Sequence, residues 1–272
     1  MARKRLLTKS KYLVGLQCPK YLWVMLNEPD RIPKPDASTQ HRFDEGHLVG
    51  EWAKKLFPDG IDIPADDFKG NIKQTEELLK KRKPLFEAGF MVDNIFSRID
   101  VLKPVNNDEW DIIEVKSSTG VKGVNIHDVS FQRYCCEKYG LKTRKCFLMH
   151  INNGYIRQSE IDPAGLLTMT EITTEVEGST NGIQQRIDNM FSAIASEKCP
   201  AVTIGEQCNS PYECPLKEEC WDFLPENNIF EMYGSKKKAF ELLEEDIYTF
   251  KDIPDDFILN GKQKIQKDCE IS

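Results

Sequence analysis

Residues 99–118, IDVLKPVNNDEWDIIEVKSS, decide the fold of this 272-residue chain. Two extended runs flank a polar turn at Asn106-Asn107-Asp108, a composition typical of turns. The second run, Trp110 to Ser117, is apolar around a single acid, Glu114. A buried acid in a strand is costly unless it is paired or binds a metal. We therefore interpret Glu114 as a functional residue.

A second carboxylate, Asp100, stands near the start of the same stretch, on the neighbouring predicted strand. Two carboxylates on adjacent strands can converge on one hard cation. Because strand side chains alternate, Glu114 and Lys116 share one face while Val115 points to the other. Lys116 can then lie beside the cation and orient or activate a water molecule. This pattern predicts metal-dependent cleavage of phosphodiesters.

The composition is that of a soluble globular protein, with 40% hydrophobic and 30% charged residues. No apolar run approaches the roughly 20 residues of a membrane span. The first residues, MARKRLLTKSKYL, lack the apolar stretch and cleavage site of a secretory signal, so we expect a cytoplasmic protein with no membrane partner. The net charge of −7 argues against a general polyanion-binding surface.

The order of elements around the acids predicts an α/β sheet flanked by helices. A helix over Asp128–Tyr139 is followed by a strand over Arg144–Ile151, which we expect to pair with Tyr155–Ile161 through Asn152-Asn153-Gly154. Residues 253–272 form a polar tail with no evident core. Further predicted elements are helices over 10–27 (broken at Cys18-Pro19), 38–57, 71–83, 183–196 and 236–251, and strands over 90–96 and 97–105.

Nine cysteines are many for a chain in a reducing compartment, where metal binding is a more natural use than disulfides. Cys208, Cys214 and Cys220 are separated by five residues each, and with the distant Cys18 they make four thiolates. Four thiolates suit zinc or an iron–sulfur cluster. The lone distant cysteine favours a 4Fe–4S cluster that clamps the N-terminal helix to the C-terminal segment. Cys199 is an alternative fourth ligand.

Together these segments resemble a known group of nucleases. Asp100, Glu114-x-Lys116 and the helix with Gln132 resemble the RecB-type branch of the PD-(D/E)XK nucleases. The bracketing cysteines are similar to those of its iron–sulfur members, the CRISPR-associated RecB-like exonucleases and the AddB nuclease domain. An uncharacterised bacterial domain family, often fused to an RNase-H-like exonuclease module, is more similar still. The segments that carry this likeness are LTKSKYLVGLQCPKYLW, FDEGHLVGEWAKKLFP, DIIEVKSSTGVK, DVSFQRY and GEQCNSPYECPLKEECW, within about residues 7 to 260.

The resemblance implies a restriction-endonuclease-like mixed sheet and metal-dependent cleavage of DNA that is single-stranded or has free ends. It implies one nuclease domain over residues 1–230, which includes the cysteine cluster, and a helical extension over 231–272. Partners would be other DNA-processing proteins, fused or associated. The implied roles are Mg²⁺ or Mn²⁺ binding by Asp100, Glu114 and the Val115 carbonyl, assistance to the water by Lys116, positioning by Gln132, and substrate contacts by Tyr134 and Ser117.

Three departures from the family pattern leave alternatives open. Gly50 stands where the family has a histidine, so His47 or Glu51 would have to supply that metal ligand. Cys136 stands where a tyrosine is usual, and the first gap of the cysteine triplet is longer than in the exonucleases. One alternative is a catalytically weakened nucleic-acid-binding module with a structural iron–sulfur or zinc site. Another is an iron–sulfur protein with a structural or redox role.

Overall fold

The computed structural model describes residues 5–34, 37–234 and 236–271. The chain divides into two compact units, Met1–Ala201 and Val202–Ser272. This division differs from the boundary expected after residue 230. Ile229 and Phe230 share one apolar core with Leu242 and Phe250, so a boundary at 230 would cut through the core of the second unit.

The first unit is built on a mixed sheet in the order β2-β3-β4-β5-β6-β7, with β1 pairing with β4 in addition. The β3–β4, β4–β5 and β6–β7 pairs are antiparallel, whereas β1–β4, β2–β3 and β5–β6 are parallel. The strands are β1 (Leu7–Thr8), β2 (Ile61–Asp62), β3 (Leu85–Val92), β4 (Ile95–Pro104), β5 (Glu109–Lys116), β6 (Lys142–Ile151) and β7 (Leu167–Glu171).

Helices cover both faces of this sheet, which confirms the predicted α/β class and is compatible with a restriction-endonuclease-like arrangement. The helices of the first unit are α1 (Lys9–Gln17), α2 (Pro19–Asn27), α3 (Ala37–Lys54), α4 (Phe68–Leu79), α5 (Gly123–Tyr139), α6 (Pro163–Leu166), α7 (Thr173–Thr180) and α8 (Ile183–Ala195). Those of the second unit are α9 (Lys217–Trp221), α10 (Lys237–Glu244) and α11 (Gly261–Ile271).

The predicted hairpin around Asn106 is confirmed, and its turn is made by the expected chemistry. Asn106 Oδ1 accepts hydrogen bonds from the backbone N–H groups of Asp108, at 3.2 Å, and Glu109, at 3.0 Å. Strands β4 and β5, which flank this turn, pair from Pro104 opposite Trp110 to Val101 opposite Ile113. This turn therefore fixes the register that carries Asp100 and Glu114.

Strand β5 lies inside the sheet and is buried on both faces. Ile112 belongs to the larger core, beneath α5, while Ile113 belongs to a second core that includes Val49 and Ala53 of α3. In the larger core the rings of Tyr12 and Phe131 stack at 4.7 Å between centroids. Because successive side chains of β5 enter different cores, its register is strongly specified.

The strand partner predicted for β6 is wrong. Residues 155–161 form no strand, and β6 pairs with Leu167–Glu171 instead. The turn at Asn152 does form: Asn152 Oδ1 accepts from the Gly154 N–H, at 3.0 Å. The chain then continues through α6 before it returns, because Asn152 also bonds to the backbone of Gly165 and Leu166. Local turn chemistry was recognised, but the returning strand starts several residues later.

The predicted polar tail is wrong as well. Ile253 and Leu259 are buried in the core of the second unit, and residues 261–271 form α11. Lys267 Nζ on α11 donates to the Ile253 carbonyl at 2.8 Å. The expectation failed because the apolar residues of this segment are few and widely spaced.

Among the described residues, no helix combines the length and apolar character needed to cross a bilayer.

Candidate active site

The two predicted carboxylates lie where the ladder between β4 and β5 ends. The last β4–β5 pair is Val101 opposite Ile113, and Asp100 is the next residue of β4 beyond that pair. Its Oδ2 accepts a hydrogen bond from the Val115 N–H at 2.8 Å. On its other side, the β3–β4 register passes from Phe86 opposite Val101 to Ala88 opposite Ile99 and skips the Glu87 position. Asp100 is therefore released from regular pairing on both sides of its strand.

Glu114 is a fully buried carboxylate whose charge is met by three donors from separate elements. Gln132 Nε2 of α5 donates to Oε2 at 2.6 Å. Lys9 Nζ of α1 donates to Oε1 and Oε2 at 2.9 and 3.0 Å, and Lys116 Nζ of the same strand donates to Oε1. These bonds supply the pairing that a buried charge requires. Glu114 therefore occupies the centre of the site.

A third carboxylate, Asp128 of α5, completes the group and is also buried. Lys116 Nζ donates to Asp128 Oδ2 at 2.9 Å, and Gln132 Nε2 donates to Asp128 Oδ1 at 2.9 Å. Asp128 and Gln132 stand four residues apart on one helix, so they project from the same face. That spacing could have identified Asp128 from the sequence, which we did not predict.

Lys9 is the second residue that the sequence analysis missed. Its Nζ lies 3.7 Å from Asp100 Oδ1 and 3.9 Å from Asp128 Oδ1, in addition to its bonds with Glu114. Only the first-turn position on α1 and the pairing of β1 with β4 bring it there. No local pattern in the sequence signals this contact, since it joins residues more than ninety positions apart (9 and 100).

The site therefore holds three carboxylates and two ammonium groups. Burial acts to lower the pKa of Lys116, but the charges of Glu114, Asp128 and Asp100 outweigh it and raise that pKa well above the ordinary value. The pKa of Lys9 is raised in the same way, with burial again opposed by the charges of Asp100, Asp128 and Glu114. Both lysines are thus cations at neutral pH.

An open cleft of about 610 Å³ gives access to this group from the α3 side of the sheet. Glu51, His47 and Ser117 line it as candidate residues. Glu51 Oε1 accepts from Lys54 Nζ at 2.7 Å, and both Glu51 and His47 are exposed. Within the described residues, neither forms a hydrogen bond or ion pair with Asp100 or Glu114. The full lining consists of Lys9, Gln40, Gly46, His47, Gly50, Glu51, Lys54, Glu87, Asp100, Val101, Glu114, Val115, Lys116 and Ser117.

Tyr134, a predicted substrate contact, does not line this cleft. Its hydroxyl bonds to Gln184 Oε1 of α8, away from the carboxylates. Two residues along a helix turn by about 200°, so Tyr134 cannot share the face of Gln132. Cys136 is buried in the larger core, and burial raises the pKa of its thiol well above the usual value.

Asp100 and Glu114 offer two carboxylates as candidate ligands for a hard divalent cation. The carboxylates of Asp100 and Glu114 both approach one point, the Lys9 Nζ atom, at 3.7 and 2.9 Å. Carboxylate oxygens are the ligands that Mg²⁺ and Mn²⁺ prefer. In the described part of the chain, no group of three or more His, Cys, Asp or Glu side chains is arranged to hold a metal ion.

The predicted cysteine ligands fall in different units. Cys18 is half-buried at the junction of α1 and α2, in the first unit, where Pro19 begins the second helix. The other three lie in the second unit, where the Cys214 N–H donates to the Cys208 carbonyl at 2.9 Å. Cys208 and Cys220 pack against the apolar core of that unit. No disulfide joins the nine cysteines, all of which are within the described residues.

Fold and site together define a mixed α/β protein with a carboxylate–lysine group buried at the end of a hairpin. Comparison with solved structures gives an alkaline exonuclease from Laribacter hongkongensis, with 12% sequence identity and a TM-score of 0.28. The alignment covers 70% of this chain and 92% of that one. No family model and no curated protein matches the sequence.

Proposed function

We propose that this protein is a divalent-metal-dependent deoxyribonuclease that hydrolyses phosphodiester bonds in DNA that is single-stranded or has free ends. One observation carries the proposal: the carboxylates of Asp100 and Glu114 converge in a shared open cleft with the Lys116 ammonium beside them. The proposed protein acts in the cytoplasm, alone or beside other DNA-processing proteins. Its proposed cation is Mg²⁺ or Mn²⁺.

Each residue of the group would contribute a distinct step. Asp100 and Glu114 would hold the cation, with the Val115 carbonyl as a further ligand. Such a cation, when bound, supplies positive charge that polarises the phosphate and activates water. Lys116 would stabilise the charge that develops on the phosphate in the transition state. Lys116 Nζ donates to both Glu114 and Asp128, so it would act there as a cation.

Two residues of α5 would act by positioning others. Gln132 Nε2 bridges Glu114 and Asp128, at 2.6 and 2.9 Å. Asp128 in turn accepts from Lys116 Nζ at 2.9 Å. This chain of hydrogen bonds would keep the Lys116 ammonium directed towards the phosphate. His47 or Glu51 on α3 would add a ligand from the opposite wall of the cleft, and Ser117 would contact the substrate.

The test compares Asp100→Asn with Asp108→Asn, a substitution of an exposed acid in the same hairpin. Release of nucleotides from end-labelled single-stranded DNA in Mn²⁺ or Mg²⁺ should fall at least about 100-fold in Asp100→Asn. Asp108→Asn should cleave like the parent protein, and circular dichroism should show both variants folded. Parental activity in a folded Asp100→Asn variant would contradict the proposal.

A second candidate function is a nucleic-acid-binding module that has lost catalytic competence. Two observations favour it: Gly50 adds no side-chain ligand to the cleft, and the Lys9 ammonium already neutralises Glu114. It predicts that the protein binds single-stranded DNA but cleaves none in Mg²⁺, Mn²⁺ or Co²⁺. Any metal-dependent cleavage that Asp100→Asn abolishes would exclude this candidate.

We further propose that Cys18, Cys208, Cys214 and Cys220 bind a 4Fe–4S cluster, with Zn²⁺ as the alternative. The Cys214 N–H donates to the Cys208 carbonyl, so these two cysteines belong to one hydrogen-bonded loop. Thiolates are suitable ligands for either group. Anaerobic purification followed by iron, sulfide and zinc analysis distinguishes the two. Cys214→Ser should lose the metal, whereas the control Cys269→Ser should retain it. If Cys199→Ser also retains the metal, Cys199 is not a ligand.

A further inference from the structure

Lys9 occupies the position between the proposed metal ligands. Its Nζ lies 2.9 and 3.0 Å from the two oxygens of Glu114 and 3.7 Å from Asp100 Oδ1. A Mg²⁺ or Mn²⁺ ion held by the same carboxylates would lie about 2.1 Å from its ligand oxygens. An ammonium and a divalent cation cannot both fill that small volume, since they would repel each other strongly at such a distance.

The two lysines of the site differ in how they are held. Lys116 donates to Asp128 Oδ2 at 2.9 Å, so it keeps a carboxylate partner when Glu114 is engaged elsewhere. Lys9 has its shortest bonds with Glu114 alone, and its next carboxylates are at 3.7 and 3.9 Å. Arrival of a cation would therefore displace Lys9 and leave Lys116 in place.

A route for this displacement is available. The Lys9 side chain is 25% exposed and lines the cleft, whereas Glu114 is 1% exposed. The backbone of Lys9 is fixed, because β1 pairs with β4 and the Thr8 side chain caps α1. The side chain, with its long flexible stem, can thus move towards the cleft without any change in the fold.

We propose that Lys9 is a built-in cation that competes with the divalent metal for Asp100 and Glu114 and so sets the metal affinity of the site. The inference rests on the proposed function, because it takes those two carboxylates as metal ligands. If the ammonium is away from the carboxylates in only about one molecule in ten, the apparent dissociation constant for the metal is about tenfold higher than that of a site without the ammonium.

The test measures Mn²⁺ binding to the full chain by calorimetry, with no DNA present. Lys9→Met should bind Mn²⁺ about tenfold more tightly than the parent protein. Lys11→Met is the matched control, because it removes the same charge from the same helix where Nζ bonds to the Leu6 carbonyl instead. Its affinity should stay within about twofold of the parent value. Equal or weaker binding by Lys9→Met would overturn the inference, as would absence of binding in both proteins.

A thermal readout covers the case in which Lys9→Met is poorly folded. Removing the ammonium leaves three carboxylates with one lysine, so the melting temperature without metal should fall. Added Mn²⁺ should then raise it by more in Lys9→Met than in the parent protein. If Lys9 has only a structural role, the melting temperature of Lys9→Met should fall and Mn²⁺ should not restore it. That result would refute the inference. Lys9→Gln, which keeps a polar contact to Glu114 without the charge, should behave like Lys9→Met.

These outcomes separate the two proposals. If Lys9→Met binds Mn²⁺ more tightly but no variant cleaves DNA, the competition stands and the nuclease function fails. If the parent protein cleaves DNA and Lys9→Met shows no gain in Mn²⁺ affinity, the function stands and the competition fails.

Discussion

At the scale of single residues, the site is governed by a buried acid in a strand. Glu114 was chosen from the sequence because its neighbours are apolar, and the structure shows it fully buried and bonded to Lys9, Lys116 and Gln132. Its local pattern was sufficient to mark it, since a carboxylate in that position needs partners. The identity of two of its neighbours, Lys9 and Asp128, came only from the fold.

Gln132 gives a prediction at this scale. Gln132→Met has nearly the same volume but removes the N–H donors to Glu114 and Asp128. Two buried carboxylates then lose a donor, so the free energy of unfolding in urea should fall by about 1–3 kcal/mol. Gln184→Met, on the exposed surface of α8, is the control and should change it by less than about 0.5 kcal/mol. Equal effects in the two variants would contradict the positioning role of Gln132.

At the scale of elements, α3 forms the open wall of the cleft. A Cβ added at Gly46 or Gly50 would meet no described atom within 4 Å, so neither glycine is required by close packing. Ala53, one turn further, is fully buried beside Ile113 and Val101. The helix therefore rests on the sheet near its C-terminal end, and its glycine positions leave room above the carboxylates.

That space allows a histidine side chain to be introduced at position 50. Gly50→His should fold, and the helix should gain slightly in stability because glycine is a poor helix former. An imidazole in the cleft adds a ligand, so Mn²⁺ affinity measured by calorimetry should rise about tenfold or more. Leu48→His, at an exposed position of the same helix that does not line the cleft, serves as the control for a general effect of histidine. If both variants bind Mn²⁺ like the parent protein, α3 does not contribute to the metal site.

The elements that the sequence predicted well were those with strong local signals. The β4–β5 hairpin has turn chemistry at Asn106, and α2 begins at Pro19 as expected. The partner of β6 was wrong although the turn at Asn152 forms. Turn residues indicate where the chain reverses, but they do not indicate which of the following segments pairs with the preceding strand. The sheet as a whole decides that choice: Leu167 is buried, whereas Ile156 is 81% exposed.

At the scale of the whole molecule, the second unit has an apolar core of its own. That core contains Leu259 and Ile253, from a segment whose sequence gave no sign of a core. Neighbouring positions there differ sharply, since Leu259 is 8% exposed and Ile258 is 83% exposed. The segment that carries Ile253 and Leu259 is thus part of the folded structure of the second unit.

This contrast yields a prediction with its own control. Leu259→Ala should lower the free energy of unfolding of the second unit by about 2–4 kcal/mol, because it leaves a cavity in a small core. Ile258→Ala, at the adjacent exposed position, should lower it by less than about 0.5 kcal/mol. Thermal unfolding of the full chain, followed by tryptophan fluorescence, measures both. Similar losses would show that this segment is not packed as described.

Local sequence patterns were enough to predict the hairpin, the burial of Glu114 and the presence of an acid and a lysine on one strand face. These depend on interactions between residues that are close along the chain, where turn chemistry and strand alternation act directly. The contact of Lys9, from the first helix, with both Asp100 and Glu114 is visible only in the folded chain. The tertiary structure also decided the partner of β6 and the boundary near residue 201. Such contacts join distant segments, and their energies depend on packing that no local pattern records.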